Sequence, residues 1–274
     1  MGIPSRVAER LSAGLKRFQP IFASAKSRDV NESDTSMIIT DVLAEIFGYD
    51  KYSEVTRELT IRGTHCDLAT RIDGKFQMLI EVKAIGLDLR DAHAKQAVDY
   101  AANQGVEWVA LTNGVIWKVF RVIFTKPIET ELVLEFDFLT LNHKTSAHLE
   151  SLYLLTRESM MKSGLYAYHD HIQATNKFYL AAVVLSEPVL DTIRRELRRV
   201  SDVKIDIEEL RTLLREEVIK REVIEGEKAD AAHKKVTKSA NKMLRIRKED
   251  EEAATLAPRS LIAVPDAPKR VEES

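Results

Sequence analysis

Asp67, Glu81 and Lys83 are two acids and an amine, residue types that together could bind a divalent ion and assist phosphate-ester hydrolysis. Glu81 and Lys83 close an apolar run, FQMLIEVKAIG at 76–86, in which Phe76, Met78, Ile80 and Val82 alternate at the period of a strand. A charge in such a run is costly unless it is paired or binds a metal. Residues two apart on a strand point to the same side, so Glu81 and Lys83 share a face. Two carboxylates at bonding distance repel unless a cation lies between them. All-oxygen ligands suit Mg2+ or Mn2+, which stabilises charge on a phosphoryl oxygen and makes bound water more acidic. Lys83, one pleat on, would orient that water or help deprotonate it. Asp67, Glu81 and Lys83 are the candidate catalytic residues, with Asp67 and Glu81 the candidate metal ligands.

Convergence of the two acids depends on the bend between their strands. A two-residue loop of Asp73-Gly74 pairs 72 with 75, sets Asp67 against Ile80 and turns it away from Glu81. A three-residue loop, Ile72-Asp73-Gly74, puts Asp67 on the face of Leu79, Glu81 and Lys83, with Gly74 in the left-handed position glycine favours. A bulge elsewhere in the hairpin has the same effect. The expectation is an odd loop or a bulge.

The elements around these residues follow from periodicity. Val7, Leu11, Leu15, Phe18 and Phe22 mark an amphipathic helix, with Pro20 as a kink or break. A polar connector, SRDVNESDTS, leads to a second helix capped by Ser33 or Asp34 and ended at Gly48. Strands are expected at Ser53–Ile61, His65–Ile72 and Phe76–Ala84, with Arg62-Gly63-Thr64 turning between the first two. A helix over Asp91–Asn103 is closed by Gly105, and Glu107–Thr112 and Val115–Phe124 form a strand pair across Asn113-Gly114. Leu132, Leu134, Phe136 and Phe138 predict a last strand with all four inward. This order implies an α/β (α+β) domain, helices flanking a small mixed sheet. Beyond 144 the chain reads as helical: Ser146–Met161, Tyr166–Leu185, Pro188–Val200 and a long helix from Asp206 past 240, Lys-rich in its second half.

The motif residues carry a family resemblance. Asp67, thirteen intervening residues, then Glu81-Val82-Lys83 resembles the D…E-x-K core of the PD-(D/E)XK nuclease superfamily, with Cys66 where a proline often stands. Gln96-Ala97-Val98-Asp99-Tyr100 resembles the QxxxY element of a subset of these nucleases. The stretches NESDTSMIITDVLAEIFGYD, CDLA, IEVKAIG and QAVDYAANQGVEWVALTNGVIWKVFRV resemble the N-terminal nuclease domain of type I restriction enzyme R subunits, in its stand-alone form, over about residues 25–140. The resemblance implies a restriction-endonuclease-like core, a Mg2+-dependent DNA nuclease in restriction-modification, defence or DNA processing, and DNA as partner. It implies Gln96 and Tyr100 as substrate-positioning residues and Glu32 as a further metal residue. No G-x-x-x-x-G-K-[ST] phosphate loop occurs, so the ATP-driven motor of a full R subunit is not expected.

The chain as a whole agrees with this and narrows little. Its 274 residues carry a net charge of −2, which neither advertises nor excludes a nucleic acid. One cysteine allows no internal disulfide, and neither a secretory leader nor an apolar run near the roughly 20 residues of a membrane span is visible. A cytoplasmic, non-membrane protein is expected. The expected parts are an N-terminal helix at 1–30, the nuclease-like domain at 31–142, a helical region at 143–252 and a disordered tail at 253–274. The C-terminal helices are the expected surface for self-association. Plain readings stand beside the chemical ones: Glu81–Lys83 as an ordinary ion pair, Glu32 as a first-turn acid suited to the helix dipole, Gln96 and Tyr100 as a polar face and a half-buried aromatic, Trp108 and Trp117 as core, and the lysines of 234–248 as a solvated face. Taken together these describe the alternative, a catalytically inactive nucleic-acid-binding or scaffold protein acting through its C-terminal helices.

Overall fold

The computed structural model describes residues 2–61 and 64–239. The expected Arg62-Gly63 turn, the far end of the last helix and the tail from 253 lie outside them. Helices α1 (Ser5–Ser27) and α2 (Glu32–Glu45) precede three strands, β1 (Val55–Ile61), β2 (Thr64–Ile72) and β3 (Lys75–Val82). A turn of 3-10 helix at Asp91–Ala94 runs into α3 (Lys95–Gln104), and β4 (Trp108–Thr112), β5 (Ile116–Ile123) and β6 (Glu129–Asp137) complete one six-stranded sheet in sequence order. Only β3 and β4 are parallel, and α3 is the crossover between them. This is the mixed α/β architecture read from the order of elements.

The sheet separates two apolar layers. On one side Val7, Leu11, Leu15, Phe18 and Phe22 of α1 and Ile39, Val42 and Leu43 of α2 pack with Met78, Ile80 and Val82 of β3. On the other, Ala97, Tyr100 and Ala101 of α3 pack with Cys66, Ala69 and Leu79. Trp108 and Trp117 are both buried in the first layer, and Trp117 meets Phe47 edge-on at 5.6 Å. Pro20 lies inside α1 without ending it, because it sits on the exposed face between the buried Phe18 and Phe22. The cap of α2 is Asn31, whose side chain accepts the Asp34 N–H at 2.9 Å, rather than Ser33 or Asp34.

Two compact units divide the chain between His171 and Ile172. Helices α4 (Ser146–Tyr153), α5 (Arg157–Met161) and the start of α6 (Gly164–Thr175) therefore belong with the sheet. Their Leu152, Tyr153, Leu155, Met160 and Leu165 are part of its core, so a boundary at 142 is too early. A polar network also holds α6 here: His169 is buried, receives an N–H from Arg121 at 2.8 Å and meets Glu131 at 2.7 Å. Because arginine only donates, His169 Nδ1 must accept and Nε2–H must face Glu131.

The second unit contains α7 (Lys177–Val184), α8 (Glu187–Ser201), α9 (Ile207–Leu213), a π turn at Leu214–Val218, α10 (Arg221–Ile224) and helical residues 227–239. Several helices expected as single rods are thus broken. Thr156 caps α5 through the Ser159 N–H, Asn176 caps α7 through the Phe178 N–H, and Ile219 is extended between the π turn and α10. A residue that caps supplies an alternative to the next helical hydrogen bond, which periodicity alone does not see. Of the expected inward set, Leu134 and Phe136 on β6 and Phe138 just beyond it are buried, and Leu132 is exposed. An extra residue on β6, Val133, explains it, since Val119 pairs Leu134 whereas the next residue, Phe120, pairs Leu132.

Gly114 joins β4 to β5 with φ +82, and a Cβ there would lie 2.5 Å from the Phe22 ring. Gly114→Ala should therefore destabilise the first unit by about 2 kcal/mol or more, from left-handed strain and overpacking together. Urea unfolding followed by tryptophan fluorescence measures this.

Candidate active site

The β2–β3 hairpin settles where Asp67 goes. Asp73 and Gly74 both have positive φ, 50° and 75°, and Ile72 pairs with Lys75, so the loop has two residues. By itself that register would set Asp67 against Ile80. The register shifts between Arg71, which pairs Phe76, and Thr70, which pairs Met78, leaving Gln77 as the extra residue. Beyond this bulge Leu68 pairs Ile80, and one further step puts Asp67 across from Glu81. The bulge, and not a longer loop, makes the correction.

Local irregularity on the other side of β2 adds to this. Glu58 of β1, between the pairs Arg57–Leu68 and Leu59–Cys66, has φ +51. Cys66 packs toward α3 while Leu68 packs toward α1 and α2, so strict alternation breaks at Asp67. Its carboxylate Oδ2 accepts the Val82 N–H at 2.7 Å. On the other edge of β3, Lys83 N–H donates to Thr112 O at 2.8 Å. The end of β3 is thus held by a side chain on one edge and by β4 on the other.

Glu81 is 4% exposed. Burial pushes its pKa up, the Lys83 hydrogen bond pulls it down and the nearby Asp67 charge raises it further, with a net rise. Lys83 Nζ donates to Glu81 Oε1 at 2.7 Å and stands 3.5 Å from Glu32 Oε2. Burial disfavours the Lys83 ammonium, but the bond to Glu81 and the charges of Glu81, Glu32 and Asp67 outweigh it and hold its pKa above the ordinary lysine value. Glu32, in the first turn of α2, is about half exposed. The structure therefore brings Asp67, Glu81, Lys83 and Glu32 to one end of β3.

Gln96 and Tyr100 do not share the same surroundings. Gln96 is exposed on α3, whereas Tyr100 is fully buried with Ala97 and Ala101 against the sheet. Four residues along a helix leave an offset of about 40°, enough to separate a rim from a core. The Tyr100 ring is core in this arrangement, and of the pair Gln96 is the exposed one.

Two bracing contacts escaped the sequence reading. Asn113, buried, donates to Leu87 O at 3.0 Å and accepts from Ile116 N–H at 2.7 Å, tying the segment after Lys83 to the β4–β5 turn. Gly86 lies so close to Asp29 that a Cβ would sit 2.1 Å from its Oδ1. The Asn-Gly turn was legible, but its partner at 87 was not.

Among the described residues, no three His, Cys, Asp or Glu side chains stand close enough to hold a metal ion as they are placed. The donor set nevertheless fits a hard cation. Mg2+ is commonly held by one or two carboxylates plus water and substrate phosphate, and Asp67 and Glu81 are two such carboxylates at the end of one strand pair.

Asp67→Ala leaves the Val82 N–H without its acceptor and should cost about 1–3 kcal/mol, with Asp67→Asn costing less, as read by urea unfolding. Cys66 lies beside this site, 1% exposed, and burial pushes its thiol up to about 12. At pH 8 the folded protein should therefore leave Ellman's reagent unreacted until denaturant is added. A raised folded value also means that any stability owed to the neutral thiol is present below its unfolded pKa and is lost as pH rises toward the folded one.

No family model, curated protein or solved structure matches this chain, and its chemistry has to be read from these side chains.

Proposed function

We propose that this chain is a divalent-metal-dependent nuclease that hydrolyses DNA phosphodiester bonds, built on a restriction-endonuclease-like core of the PD-(D/E)XK kind. The observation that carries the reading is the bulged β2–β3 hairpin, which delivers the Asp67 carboxylate to the Val82 N–H, between Glu81 and Lys83. The order of helices, antiparallel hairpins and α3 crossover to a parallel β4 supports it.

Asp67 and Glu81 would hold Mg2+ or Mn2+, with Glu32 close enough through Lys83 to add charge. The ion, when bound, supplies Lewis-acid stabilisation of the phosphoryl oxygens and a more acidic water. Lys83 would position that water and offset negative charge on the phosphorane. Gln96, exposed on α3, would contact the substrate. Two copies, associated through the helical second unit, would let single-strand cuts become a duplex break. A role in restriction, defence or DNA processing follows from the resemblance.

Two observations favour a second reading. Lys83 is already paired with Glu81 and Glu32, and Tyr100 is core, which also suits a catalytically inactive nucleic-acid-binding or scaffold protein that keeps the fold. Plasmid and single-stranded DNA incubated with purified protein and Mg2+ or Mn2+ separate the two. Cleavage should fall by about 10²-fold or more in both Lys83→Ala and Asp67→Ala, in line with the loss of a positioned catalytic group. Equal cleavage by parent and variants would trace the activity to a contaminant and reject the nuclease.

A further inference from the structure

At the end of β3 a cation is already present: the Lys83 ammonium. Its Nζ lies 2.7 Å from Glu81 Oε1 and 3.5 Å from Glu32 Oε2. Its side chain is only 19% exposed, and that of Glu81 6%, so water screens this pair poorly. Asp67 is anchored in the same place by the Val82 N–H. A divalent ion held by Asp67 and Glu81 would meet a positive charge already seated on one of these two carboxylates.

We infer that Lys83 is the site's own counter-cation and competes with the divalent metal for Glu81. The inference rests on the nuclease reading and adds how its site is loaded. A metal taken up by Glu81 either displaces the ammonium from Oε1 or sits on the same carboxylate against its like charge. Glu32 offers a second acceptor on the same nitrogen, so Lys83 can move toward α2 without losing every partner. The exchange keeps positive charge beside Glu81 at all times, which avoids leaving a buried carboxylate bare. It also makes the resident affinity for metal lower than two carboxylates alone would give, because like charges repel across a poorly screened distance.

Manganese binding to the full chain, read by electron paramagnetic resonance of free Mn2+ without any nucleic acid, tests this. Four proteins are compared: parent, Lys83→Met, Lys83→Arg and Glu81→Gln, each first checked for folding by circular dichroism. Lys83→Met should bind Mn2+ about tenfold more tightly than the parent, equivalent to about 1.4 kcal/mol. Lys83→Arg, which keeps the charge, should stay near the parent, and Glu81→Gln should lose the site. If parent binding depends on Glu81 but Lys83→Met binds no more tightly, the competition is overturned while the nuclease reading stands. If neither parent nor Lys83→Met binds Mn2+ at millimolar concentration, the metal centre itself is refuted, and the competition with it. Should Lys83→Met unfold, Lys83→Gln takes its place with the same expected tightening.

Discussion

The arrangement at the end of β3 depends on one extra residue in its hairpin. Without the bulge at Gln77, the two-residue turn would place Asp67 against Ile80 and direct it away from Glu81. With it, Leu68 meets Ile80, the ladder ends, and the Asp67 carboxylate takes the next β3 donor, Val82 N–H. A charged acceptor on a backbone donor is among the stronger hydrogen bonds. It lets an acid sit at a strand end that would otherwise present an unpaired amide.

Everything else near this point braces it. Thr112 holds the Lys83 amide from the parallel strand, and Asn113 holds Leu87 just beyond. The first unit thus fixes the backbone on both sides of Glu81 while leaving the side chains to balance charge among themselves. Glu81, Lys83 and Glu32 do so as an ion-pair chain linking β3 to the first turn of α2. Such a partly buried chain gains little net stability, because desolvation offsets much of the Coulomb attraction.

The second unit differs in character. It is held by short capped helices and many ion pairs within one helix, such as Arg194–Asp191 and Arg199–Glu196, which contribute little individually. Lys235 stands over the Tyr179 ring at 5.5 Å, and the other described lysines nearby, Lys234 and Lys238, are exposed. Among the described residues no helix is long and apolar enough to cross a membrane.

The sequence alone determined the elements of the sheet and most of the faces they bury, with Leu132 of β6 an exception. Strand alternation, the Asp73-Gly74 and Asn113-Gly114 bends and the Gly105 cap are local signals, each set by one or two dihedral preferences. It also determined the chemical suspects, because a carboxylate and an ammonium in an apolar strand are visible as a pattern. Only the tertiary structure decided which suspects meet. A bulge changes register without any marked change in composition, so neither the Asp67–Val82 bond nor the outward turn of Leu132 could be read in advance. The burial of Tyr100 and the reach of core helices to His171 likewise depend on partners distant in the chain, whereas the breaks at Thr156 and Asn176 are made by local caps. Periodicity records which face a residue prefers, while packing against those partners decides how deep it lies and what it touches.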